Sequence, residues 1–163
     1  MIAQSFMPEV NQEYANTRKI LERVPLESFA WLPHEKSMTL ERLATHVATL
    51  PQWITITLTT NDLDISNGAY KPEKFTTREG ILASFDKHVA AAKETLANTP
   101  DDVFMQPWSL RRGENILFTM PKIAVLRSFA LNHIIHHRAQ LQVYLRLLNI
   151  PVPGMYGPSA DEA

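Results

Sequence analysis

The stretch "NHIIHHRAQLQVYLRL", residues 132–147, sets three histidines within five positions of an otherwise apolar helical pattern. Side chains four apart on an α-helix lie one above the other on the same face, so His133 and His137 can turn their imidazoles toward one ion. Helical zinc proteases use this two-histidine spacing with a glutamate general base directly after the first histidine. Here that position is Ile134, which removes the base and with it the protease reading. A catalytic zinc commonly takes three protein ligands and a water. A third ligand must then come from another segment, or else the histidines are core residues satisfied by ordinary hydrogen bonds.

His46 in "LATHVATL" is the best candidate for that third ligand, because it borders the apolar stripe of Leu43, Val47 and Leu50 and so should point inward. His34 in the "LPHEKS" loop and His88 in "FDKHVAAA" read more simply as surface or helix-flank residues. His136 lies about 100° around the helix from His137. It stands at i+3 from His133 and competes only if the helix is rotated, which leaves it a supporting or interface role. Arg138 and Gln140 read as polar flank residues bonded to a neighbouring acid or carbonyl, and Trp31, Trp53 and Trp108 as core or subunit-contact rings. Asp161 and Glu162 read as solvated. No general base stands out near the histidines. Tyr156, in the flexible run "GMYG", is a candidate to fold back over them.

The composition narrows the chemistry. Cysteine is absent, which excludes disulfides, thiolate catalysis and cysteine-held metals, so any ion must be held by His, Asp or Glu. With 16 basic and 17 acidic residues, dispersed along the chain, there is no electrostatic footprint for nucleic acid or for a membrane surface. No signal-peptide order and no bilayer-length apolar run is present, so the cytoplasm is the expected location.

Four amphipathic segments must position these residues. The first runs roughly from Pro8 to Val24, with Val10, Tyr14, Thr17, Leu21 and Val24 on one stripe and Pro25 as its stop. The second runs roughly from Leu40 to Thr59, capped by Thr39, with a kink or break expected at Pro51. Its end, "WITITLTT", is β-branched yet keeps the apolar spacing of a helix. The third opens at "TTRE", where Thr76 and Glu79 have capping-box spacing, and continues through Ile81, Phe85, Val89, Ala92 and Leu96. The fourth runs from near Pro121 to about Leu148. Between the last two, apolar runs flank "RRGEN" as in a short hairpin or an ordered loop, and "NDLDISNGAYKPEKF" reads as a long loop. The expected fold is all-α, a four-helix bundle in one domain, 1–163, with an extended tail over 149–163.

The segment "LNHIIHHRAQLQVYLRLLNIPVPGMYGPSADE" resembles the closing helix and tail of the DinB/YfiT-like family of metal-dependent enzymes. The likeness extends to "PHEKSMTLERLATHVATLP" and to "MPKIAVLRSFALNH", and so covers nearly the whole chain. The matched block usually reads His-Arg-Gly-Gln; here it is "HRAQ", with Ala139 in place of glycine and the ligand positions intact. The resemblance implies a four-helix bundle, often a homodimer, holding a divalent ion on His46, His133 and His137. It also implies thiol-dependent transferase or isomerase chemistry on a small molecule, with low-molecular-weight thiols such as bacillithiol or mycothiol as cosubstrate. A chain without cysteine would have to borrow that sulfur. Metal-dependent hydrolysis and a noncatalytic metal-binding stress-response bundle are the alternatives. Zinc or nickel is the expected ion, although imidazole also suits copper and iron.

Overall fold

The computed structural model describes residues 2–66, 68 and 73–162. Helix α1 (Ile2–Leu21) buries Phe6, Val10, Tyr14, Thr17, Ile20 and Leu21, so the expected stripe faces the core. It begins a turn and a half before the expected start, and Pro8 lies inside it. A proline removes one N–H from the ladder and crowds the turn before it, here near the helix start, and Phe6, only 4% exposed, anchors that extra turn. The Ile2 N–H is taken up by Asp101 Oδ1 at 2.8 Å.

The second segment divides at Pro51 into α2 (Leu40–Thr49) and α3 (Gln52–Thr59). Thr39 caps α2, its side chain accepting from the Arg42 N–H at 3.2 Å, and "WITITLTT" is helical over α3. Helix α4 (Arg78–Asn98) is capped by Thr77, not by Thr76: its hydroxyl accepts from the Gly80 N–H at 3.0 Å. Adjacent threonines give the sequence two equivalent caps, and the extended backbone at Thr77 decides between them.

The last segment is one helical rod in three parts. Helix α5 (Lys122–Val125) passes into a π-helical stretch, Leu126–Asn132, and then into α6 (His133–Leu147). Helix α1 packs on α4 and α6, α2 packs on the same two, and α3 packs on α4. The core between them joins Val10, Tyr14, Leu43, Val47, Phe85, Ile134 and Leu141. No helix among the described residues is long and apolar enough to cross a membrane.

The all-α expectation is wrong. A three-stranded mixed sheet accompanies the helices, in the order β1 (Asp62–Asp64), β2 (Pro107–Arg112), β3 (Asn115–Pro121). Strands β2 and β3 form the hairpin suggested by "RRGEN", from Pro107 opposite Pro121 to Arg112 opposite Asn115, with a bulge at Leu110/Arg111. Gly113, at φ +61°, supplies the left-handed turn residue. Strand β1 comes from the segment expected to be all loop and pairs parallel to β2, Asp62 with Ser109 and Asp64 with Arg111. Aspartate is a poor strand residue. Here Arg111 bonds both carboxylates, Asp62 Oδ1 at 3.0 Å and Asp64 Oδ2 at 2.7 Å.

The sheet braces the last helical rod. Trp108 is fully buried and donates its indole N–H to Thr60 Oγ1 at 3.0 Å. Phe118 stacks on Phe129 of the π-helical stretch at 4.8 Å, and Trp53 lies 5.6 Å from the same ring. The tail from Asn149 on lacks regular structure but folds back rather than running extended. The Val152 N–H donates to Asp161 Oδ2 at 2.9 Å, and the Ser159 hydroxyl to the Val152 carbonyl at 2.6 Å. Asp161 also holds Arg146, so it is not simply solvated.

Candidate metal centre

Three imidazoles from two packed helices meet at one point. His46 lies in the last turn of α2, fixed by its buried neighbours Thr45, Val47 and Leu50. His133 opens α6 and His137 follows one turn on. His46 Nε2 stands 3.3 Å from His133 Nε2. The ring centroids are 5.1 Å apart for His46 and His133, 4.5 Å for His46 and His137, and 4.7 Å for His133 and His137. Nitrogens of all three lie within 4.8 Å of one another. Among the described residues this is the one group of three metal-ligating side chains so placed.

The donor set suits a divalent ion. Metal–nitrogen bonds of about 2.0–2.1 Å in a tetrahedron put neighbouring nitrogens about 3.3 Å apart, the separation of His46 and His133. Without an ion, the same 3.3 Å contact is a hydrogen bond from one ring N–H to the other ring's lone pair.

Each ring is held neutral, as a ligand must be. Burial, then the neighbouring His137 and His133 and the charge of Arg42, push His46 down to about 4. Burial also lowers His133, with His137 adding to the effect and the Phe129 carbonyl opposing it. His137 is lowered by burial against the opposing hydrogen bond of Gln140. That bond also sets a tautomer. His137 Nδ1 lies 2.7 Å from Gln140 Oε1, an amide oxygen that can only accept, so Nδ1 carries the proton and Nε2 presents a lone pair. His133 Nδ1 is buried and faces the Phe129 carbonyl one turn back, at a geometry looser than a formed hydrogen bond.

The structure treats the other histidines and flanking residues differently. His136 is exposed and stacks edge-on against His137 at 4.8 Å, outside the cluster. His34 is exposed in its loop, where its Nδ1 accepts from the Lys36 N–H at 3.2 Å. His88 bonds Glu73 at 3.0 Å. Arg138 is no flank residue but one of the most deeply buried side chains, 2% exposed, paired with Glu13 Oε2 of α1 at 2.7 Å. Tyr156 joins this pair and does not cover the histidines. Its hydroxyl accepts from Arg138 at 2.7 Å and donates to the Glu13 carboxylate at 2.8 Å.

Sequence reasoning missed two supporting roles. Gln140 stands at i+3 from His137, a spacing from which an amide acceptor can be expected. The π-helical stretch, a common neighbour of functional sites, carries Phe129, whose ring lies 6.5 Å from that of His133. No residue pattern announces it.

Known proteins supply the context. The uncharacterised protein YrdA of Bacillus subtilis is 29% identical over 146 residues, which span 90% of this chain and 83% of YrdA. A DinB-like protein of Bacillus cereus has the same fold, with a TM-score of 0.72 at 24% identity, covering 94% of this chain and 97% of its own. YjoA, a DinB-like protein of Bacillus subtilis, matches at a TM-score of 0.71 and 18% identity, over 95% and 99% of the two chains. The profile of the DinB family matches residues 3–163, and with the fold in agreement the chain belongs to that family.

Proposed function

We propose that this chain is a metal-dependent enzyme of the thiol-transferase type, with one divalent ion, zinc or nickel, held by His46, His133 and His137. The observation that carries the reading is the convergence of three neutral imidazoles, with His46 and His133 nitrogens 3.3 Å apart. An ion on neutral nitrogen ligands keeps its charge, and that charge lowers the pKa of a coordinated thiol or water. The protein supplies everything around it. Gln140 holds the His137 proton at Nδ1, the packing of α2 on α6 fixes the spacing, and the half-buried setting limits competing water. Because no cysteine is present, the sulfur nucleophile comes from a low-molecular-weight thiol. The assembly proposed is a homodimer in the cytoplasm. It is supported by Val143 and Leu147, one turn apart on α6 and 58% and 57% exposed.

Metal analysis of the purified protein beside its His46→Ala and His133→Ala variants tests the site. One ion per chain, lost in both variants, is expected; stoichiometric metal retained in both would sink it. A panel of electrophiles offered with bacillithiol, mycothiol or glutathione tests the reaction. Thiol-dependent turnover is expected, while turnover with water alone replaces transfer by hydrolysis. No turnover in metal-loaded protein leaves a metal-binding module.

A further inference from the structure

A cleft of about 560 Å³ opens beside His46. Met38 and Thr45 give it apolar surface, and four charged side chains line it, two acidic and two basic. The acids are accounted for. Glu73 accepts from the Ser84 hydroxyl at 2.7 Å through one oxygen and lies 3.0 Å from His88 Nε2 through the other. Glu41 sits in the first turn of α2, where the exposed N–H groups of a helix start favour a carboxylate.

The bases are not. Arg18, Arg111, Arg127, Arg138 and Arg146 each hold a carboxylate. Arg42 is exposed, and its guanidinium meets no acceptor among the described residues, nor does the Lys74 ammonium. Arg42 also precedes His46 by four residues, which places it on the same face of α2, about 6 Å along the axis. A planar guanidinium with parallel N–H groups matches a carboxylate two bonds at a time, a match an ammonium cannot make.

We infer that this cleft takes a small organic molecule bearing a carboxylate, gripped by Arg42 with Lys74 beside it, and that its reactive end lies toward the three histidines. The inference rests on the metal reading only for the placement of the reactive end. An ion on the histidines would tip the otherwise balanced charge of the cleft toward positive, favouring an anion further.

Two titrations test it. In zinc-loaded protein, 3-mercaptopropionate is expected to bind about tenfold more tightly than its uncharged analogue 3-mercapto-1-propanol, read by calorimetry. That preference should fall below about twofold in Arg42→Gln and be partly kept in Arg42→Lys, with zinc content unchanged in both. In metal-free protein, glutarate is expected to shift the backbone amide resonances of α2 in the wild type and not in Arg42→Gln. Equal affinity for the two thiols, or a preference that survives Arg42→Gln, overturns the inference. Failure of the wild type to take up zinc removes the metal reading instead, and the glutarate titration then decides the carboxylate site alone.

Discussion

At the scale of single residues, the histidines are set for neutrality, and this has a sign. His46 has a folded pKa of about 4 against an ordinary value of 6.5, lowered first by burial. Its neutral form is the folded form, so its contribution to stability is complete above pH 6.5 and is lost as pH falls from 6.5 through 4. His133 and His137, lowered in the same direction, add to the loss. Urea midpoints of metal-free protein should therefore drop across that window, and His46→Gln should show the shallower drop. Identical slopes would remove the burial argument. Asp64, lowered to about 2 by hydrogen bonds from Gly113 and Ser66, belongs to a lower window and leaves this one clear. Gln140 makes a separate prediction. Gln140→Leu keeps the packing but deprives His137 Nδ1 of its acceptor, which should weaken metal binding about 10- to 100-fold. Chelator competition measures this, and unchanged affinity would mean the tautomer needs no partner.

At the scale of elements, what was legible follows period and punctuation. The histidine pair could be read because its spacing is local to one helix, and His46 because it borders an apolar stripe. Pro51 could be read as a break because its missing N–H acts on its own turn. What escaped depends on distant partners. Strand β1 has three residues, too few for alternation to show, and its two aspartates are tolerated only because Arg111 arrives from another strand. Leu126 and Ala130 in the π-helical stretch and Ile134 after it keep a four-residue spacing, so the sequence reads through it as ordinary α-helix. Arg138 looked like a flank residue because its counter-ion Glu13 is 125 positions away and itself lies on a buried face. That pair joins α1 to the helix carrying His137, and breaking a buried pair from one side leaves an uncompensated charge. Glu13→Ala or Arg138→Ala should each cost about 3–5 kcal/mol in urea unfolding. Tyr156→Phe, which removes a partly exposed partner, should cost about 1 kcal/mol. A loss below 1 kcal/mol for Arg138→Ala would show that water reaches the pair.

At the scale of the whole molecule, the two histidine-bearing helices lie far apart in sequence, and only folding brings His46 to His133 and His137. The unfolded chain therefore offers no preformed site, and an ion that binds the cluster must stabilise the fold. With free zinc at about a hundred times its dissociation constant the gain is about 2.7 kcal/mol. For a chain of this length that corresponds to roughly 5–10 °C in the melting temperature. The proposed homodimer adds a second handle. Val143→Glu with Leu147→Glu places charge on the exposed α6 face, and sedimentation should then show one chain where the wild type shows two. The zinc-dependent rise should survive in that monomer, because all three imidazoles come from one chain. It should vanish in His133→Ala, whose two remaining imidazoles cannot complete the set. A rise of equal size in His133→Ala would mean that zinc acts elsewhere on the surface, and that the meeting of the three rings is a feature of packing alone.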